Sequence, residues 1–195
     1  MKVRPVTIKK VVDSNIFIYS LLDNHPAHAE CAAFLDANDE PGVLISLIDC
    51  IFEIYAILKN VYSIQIQDIL IKIEGLLSSN VSFSTLNTQA TMQTLELAST
   101  QGIQITDARL YLLASDVQAP VIMTDDIRFQ NFIKERGLIA ETPISQETRN
   151  IMEEWEAANL PARGLPRILA HVHEFLDKND PSLALRFKEA TDSFS

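Results

Sequence analysis

The chain has 195 residues, 47% hydrophobic and 22% charged, with 5 Gly and 8 Pro, which suits one globular domain with room for an appendage and excludes collagen-like and low-complexity classes. Its 16 Lys and Arg against 26 Asp and Glu leave a net charge of −10, which repels a polyanion at long range and sets a condition on any nucleic-acid function. The 2 cysteines, Cys31 and Cys50, exclude a disulfide framework or a Cys-rich zinc site and read as small buried hydrophobes.

At the start, Lys2, Arg4, Lys9 and Lys10 precede the run from Val11 to Ile18, the outline of a signal peptide. Asp13 and Asn15 interrupt that run and no A-x-A site follows. No apolar stretch reaches the ~18 residues of a membrane span, so a soluble, cytoplasmic protein is expected. Val6 to Asp13 predicts a strand, and Ser14 to Leu22 a helix. Pro26 to Asn38 predicts a second helix with Pro26 in its first turn, and Pro41-Gly42 a turn. Val43 to Ser46 is a buried strand, and Leu47 to Asn60 a helix with Ile48, Ile51, Phe52, Tyr55 and Leu58 on its apolar side. Ile66 to Ser78 is helical and Val81 to Phe83 a strand. Asn87 to Thr100 is a helix closed by Gly102, and Thr106 to Val117 a helix with Thr106 as N-cap. Pro120 to Thr124 is a strand, Ile127 to Arg136 a helix closed by Gly137, and Leu138 to Ala140 the last strand.

Short strands without polar alternation are buried on both faces, which requires a parallel sheet covered by helices. Residues 1–145 therefore form a doubly wound α/β domain, an α/β/α sandwich with a roughly five-stranded parallel sheet. The pattern changes after Pro143. Glu147 to Ala158, with Ser145 as N-cap, then Arg167 to Asp177 and Pro181 to about Ser193 read as helices, with a break at Pro161, Gly164 and Pro166 and Asp180 capping the last. Residues 146–195 are thus a helical C-terminal extension, with Trp155 as a packing anchor.

In such a sheet, ligands gather outside the carboxyl ends of the strands. Asp13 ends the first strand. Asp125 and Asp126 follow the fourth, Asp107 opens a helix, and Glu53 lies about a turn and a half beyond Leu47. Acids brought together raise one another's pKa unless a cation joins them. Oxygen donors without Cys or His favour Mg²⁺ or Mn²⁺, and such an ion acidifies bound water and neutralises charge growing on a phosphate.

Four segments resemble the PIN-domain family. Val11 to Ile18 is similar to its D-x-N opening. Ile45 to Leu58 resembles the second motif, a glutamate inside a helix after a strand. Thr106-Asp107-Ala108-Arg109-Leu110 with Ala114 resembles the third, and Thr124-Asp125-Asp126-Ile127-Arg128-Phe129 the fourth, T-x-D-x-x-F. The resemblance covers residues 8 to 145 in family order. It implies a Mg²⁺- or Mn²⁺-dependent ribonuclease leaving 5′-phosphate and 3′-hydroxyl ends. It also implies Asp13, Glu53, Asp107 and Asp126 as the acidic tetrad, with Asn15 and Thr124 supporting it and Asp125 available to an outer-sphere water. Many bacterial members are toxins of VapC-type toxin–antitoxin pairs, commonly homodimeric, which implies an RNA substrate and an antitoxin protein as partners; most are shorter than this chain.

The remaining polar residues divide between site and scaffold. Arg109 and Arg128 each stand two residues from a tetrad acid, as RNA-phosphate contacts or as charge partners of those acids. Lys9 and Lys10 complete a candidate basic strip. Asp49, four residues before Glu53, reads as surface or cap, and so do His25 and His28; His171 and His173 are left unassigned. Residues 1–12 hold four bases and no acid and residues 146–195 six bases and nine acids, so the stretch between carries −11. That charge disfavours loose RNA binding and points to a selective enzyme charged with metal first. A second reading is a binding or regulatory module with a silent site or one held shut by the tail. A dehalogenase-type phosphatase would want an Asp where Asn15 stands, and a P-loop is absent.

Overall fold

The computed structural model describes residues 8–160 and 165–191, with backbone alone for 165–168, 170 and 171. The Val6 start of the first strand, Pro161 and Gly164 of the break, and the Ser193 end of the last helix lie outside the described residues. The chain falls into two compact units, residues 1–152 and 153–195.

The first unit is a five-stranded, wholly parallel sheet in the order β3-β2-β1-β4-β5. Its strands are β1 (Lys10–Val12), β2 (Leu44–Leu47), β3 (Ser82–Ser84), β4 (Val121–Met123) and β5 (Ile139–Glu141). The connecting helices are α1 (Ser14–Ser20), α2 (His28–Ala37), α3 (Cys50–Asn60), α4 (Ile66–Leu77), α5 (Thr88–Gln101), α6 (Ile105–Asp116) and α7 (Ile127–Glu135). Alternation along the strands builds the three layers. Val12, Leu44, Val121 and Met123 pack with Ile16, Phe17, Ile54, Leu58 and Ile69 on one face. Val11, Ile45, Leu47 and Ile122 pack with Leu110, Leu113, Phe129 and Ile133 on the other. The sandwich, its parallel sheet and the helical extension are those expected.

Several boundaries differ for local reasons. Leu47 belongs to β2, because the ladder with Ser84 continues through it; Ile48 and Asp49 then turn, and α3 begins at Cys50. Phe52 is 69% exposed, so the apolar side of α3 runs through Ile51, Ile54 and Leu58 instead. Pro26 precedes α2 by two residues. The N-cap of α6 is Gln104, without a side-chain bond, which places Thr106 inside the first turn. The edge strands β3 and β5 are only partly covered, unlike β2 and β4. Asn87 caps α5 by accepting the Ala90 N–H at 2.9 Å, and Gly102 closes it at φ +66°, a conformation that favours glycine.

His25 is buried, not a surface residue; its ring stacks on Tyr19 at 4.4 Å and its Nδ1 accepts the Ala27 N–H. Both cysteines are buried, and burial lifts the Cys31 thiol to about 12 and the Cys50 thiol to about 11. They are inert packing residues, as expected.

Helix α8 (Gln146–Asn159) follows, with Ser145 Oγ accepting the Thr148 N–H at 3.2 Å. Its start belongs to the first unit, where Ile144 and Met152 join the core. In the second unit α9 (Leu165–Asn179) packs on α10 (Pro181–Thr191), whose first turn is capped by Asp180 Oδ1; Trp155 is half-buried. Among the described residues no helix is long and apolar enough to cross a membrane.

Leu58 is fully buried between α3 and the sheet. Leu58→Ala is expected to destabilise the chain by about 2–5 kcal/mol in urea denaturation; a loss below about 0.5 kcal/mol would contradict this packing.

Candidate metal centre

The strand order reverses on either side of β1, so the crevice opens at the carboxyl ends of β1 and β4. Asp13 leaves β1 there, its N–H still bonded to the Met123 carbonyl at 2.9 Å. It is the N-cap residue of α1, yet its carboxylate makes no capping bond. Asp13 Oδ2 instead accepts the Thr124 hydroxyl at 2.7 Å and the Asn15 amide at 2.9 Å. Ser14 Oγ reaches Oδ1 at 3.3 Å.

Thr124 is the hub. Fully buried, its hydroxyl donates to Asp13 and accepts the Asp126 N–H at 3.1 Å and an Asn15 Nδ2–H at 3.3 Å, which uses its one proton and both lone pairs. Asp126 is the N-cap of α7, its Oδ1 accepting the Phe129 N–H at 2.9 Å, while the Phe129 ring fills the core. Each fixed letter of T-x-D-x-x-F therefore has a mechanical task. Asn15 completes the D-x-N segment: its amide serves Asp13 and Thr124 and its Oδ1 accepts the Asp125 N–H at 3.4 Å.

Asp107, in the first turn of α6, is buried, and Glu53, in the first turn of α3, is half-buried. The four carboxylates share one field. Burial pushes Asp13 up to about 6, with Glu53 adding to the rise and the Thr124 hydroxyl opposing it. Burial pushes Asp107 up to about 7, with Asp13, Asp126 and Glu53 all adding. Among the described residues none of the four stands in an ion pair. Nor do three His, Cys, Asp or Glu side chains there stand close enough, as placed, to enclose an ion. The donor set nevertheless suits a hard divalent cation: oxygens only, with Asp13 and Asp107 pushed up chiefly by burial and further by neighbouring negative charge.

The nearby bases are committed elsewhere. Arg109 pairs with Asp49, strapping α6 to the start of α3 and so linking the helices that carry Asp107 and Glu53. Asp49 is thus a structural anchor, which its i, i+4 spacing from Glu53 did not reveal. Lys9 donates to the Val117 carbonyl at 3.0 Å, at the far end of α6, about 15 Å along its axis from Asp107. Lys10 lies 3.8 Å from Glu141 and over the Phe34 ring. The structure does not gather Lys9, Lys10 and Arg109 into one strip; Arg128 is exposed and, among the described residues, its side chain makes no ion pair or hydrogen bond. Asp125 presents its backbone to Asn15, while its carboxylate takes Arg149 and the Thr142 hydroxyl. Nothing in the sequence pattern singles out Arg149 or Thr142.

A family model described as the PIN domain matches residues 10–135. No curated protein matches the chain. Among solved structures, VapC20 of Mycobacterium tuberculosis, described as a sarcin-ricin-loop-cleaving toxin, superposes with a TM-score of 0.56 at 14% identity, covering 67% of this chain and 97% of that one. At that identity the likeness is one of fold.

Without metal, the folded chain keeps protons on Asp13 and Asp107 up to about pH 6 and 7, whereas the unfolded chain releases them near pH 4. The fold therefore loses stability as pH rises through that window, with no further loss above about 7. Metal-free wild type should lose roughly 3 kcal/mol relative to Asp107→Asn between pH 5 and 8 in urea denaturation; a difference that stays constant with pH would refute the shared field.

Proposed function

Because the chain belongs to the PIN-domain family, whose members are generally nucleases, we propose that it is a Mg²⁺- or Mn²⁺-dependent endoribonuclease with Asp13, Glu53, Asp107 and Asp126 as its metal-holding and catalytic acids. One observation carries the reading: two buried carboxyls are pushed up to about 6 and about 7 while, among the described residues, the neighbouring Lys10, Arg109 and Arg149 each pair with some other acid. A site that withholds the protein's own cations from its acids is one that takes its positive charge from outside.

A divalent ion, when bound, supplies an acidic water at neutral pH and a charge for the phosphate oxygens. The chain's own groups do the rest. Thr124 and Asn15 lock Asp13 through Oδ2. Asp126 spends Oδ1 on the helix cap and keeps its second oxygen for the site. Asp107 and Glu53 come in from separate helices, so displacing the proton on Asp107 couples metal uptake to pH. Arg128 is the residue placed to meet an RNA phosphate. Asp125 supports the loop through its backbone N–H, and its Oδ1 is taken by Arg149 and the Thr142 hydroxyl.

The toxin role, with a cytoplasmic setting, an antitoxin protein and a homodimer, rests on the family and on the VapC20 likeness. An apolar surface groove lined by Met92, Leu95 and Ile105 is the kind of patch another chain covers.

RNA cleavage should appear with Mg²⁺ or Mn²⁺ and fall by about 10²–10³-fold in Asp13→Asn, the cost of losing several kcal/mol of charge stabilisation. Equal cleavage by wild type and variant would exclude the mechanism.

A further inference from the structure

We propose that Arg149 is a positioning residue for the acidic site: arriving on the first turns of α8, it holds Asp125 and thereby fixes the Thr124–Asp126 turn that carries Asp126 and supports Asp13. The proposal deepens the metal-site reading and rests on it only for the second of its two readouts.

The linkage is continuous. The Arg149 guanidinium donates to Asp125 Oδ1, which also accepts the Thr142 hydroxyl at 3.3 Å. Thr142 Oγ1 in turn accepts the Ile144 N–H at 3.2 Å. On its other side Asp125 donates its N–H to Asn15 Oδ1, and Asn15 donates to both Asp13 and Thr124. Asp125 therefore stands between α8 and the groups that hold the site, with its side chain only 14% exposed and that of Arg149 20%.

The arginine comes from a rigid base. The Ser145 N–H donates to Glu30 of α2 at 2.9 Å, its carbonyl accepts the Arg149 N–H at 3.0 Å, and Ile144 and Met152 flank the turn in the core. An ion pair between pre-ordered, largely covered groups avoids the entropy cost and screening that cancel exposed pairs. Removing the arginine leaves a covered carboxylate beside Asp126, in a region already rich in negative charge. The turn opens to hydrate it, and the Asp126 cap and the Asn15 bond go with it. Partners behind metal ligands that orient them in this way govern affinity without touching the ion.

The test uses the full chain, metal-free, as wild type, Arg149→Met, Arg149→Lys and the pair Arg149→Met/Asp125→Asn. Amide exchange is followed at Asp125, Asp126 and Phe129, whose N–H groups report the three bonds of the turn, with Ile122 as reference. Arg149→Met should speed exchange at those three amides by about tenfold or more and leave Ile122 unchanged. Arg149→Lys should fall between, since it keeps the charge and loses the fork. The double variant should return to wild-type rates, because no buried charge is left to compensate. Mn²⁺ affinity should follow the same order, weaker by about 10–100-fold in Arg149→Met. Unchanged exchange in Arg149→Met overturns the proposal, and so does a general loss of protection that Asp125→Asn fails to rescue. If Arg149→Met does not fold, the lysine and double variants carry the same comparison. If wild type binds no Mn²⁺, the metal reading falls, while the exchange rates still decide the clamp.

Discussion

The Asp13 carboxylate is buried at the carboxyl end of the central strand with Glu53 in its field, and Asp107 is buried in the field of both. Desolvation and like charge both oppose ionisation there, so the fold must hold these groups against their tendency to separate or take up protons. It does so with neutral donors on the acids themselves and cations on the acids behind them. Thr124 and Asn15 grip Asp13; the Phe129 amide grips Asp126. Arg109 and Arg149 bind Asp49 and Asp125, each close in sequence to a site acid without being one. Among the described residues the four acids are thereby left without an ion-paired cation.

This arrangement explains which parts were legible in the sequence. The layers followed from short apolar strands, since Val11, Val12, Ile122 and their neighbours have no polar face to show solvent. Two local bonds, Asn15 to Asp13 and the Asp126 N–H to Thr124, match motif spacings two residues apart. The Thr124–Asp13 bond that joins them spans 111 residues, and the support of the site by Asn15 and Thr124 was implied by the PIN-domain resemblance alone. The ends of α2, α3 and α6 were not, because Pro26, Leu47 and Thr106 obey local preferences that the sheet register and the helix geometry override. Arg149 and the Asp49–Arg109 strap were invisible because their partners lie 24 and 60 residues away, and spacing carries no signal at that range.

The basic residues teach the same lesson about charge. Lys9, Lys10 and Arg109 looked like a strip for phosphate because they lie near motif residues in sequence. In the fold they serve a helix end, Glu141 and Asp49. Among the described residues, these three bases therefore do not form a basic surface that relieves the net charge of −10 around the acids. On the proposed function, attraction for a phosphodiester would come from a cation in the site, aided by Arg128, and RNA would be engaged after metal.

The most direct measurement is the proton balance of Mn²⁺ binding, read by calorimetry at pH 6.5 in buffers of different ionisation enthalpy. With Asp107 protonated up to about pH 7 and Asp13 up to about 6, Mn²⁺ should bind and release a substantial fraction of a proton, with most of the release lost in Asp107→Asn. Binding without proton release, or the same release from that variant, would contradict the claim that these acids form one cation-deficient site.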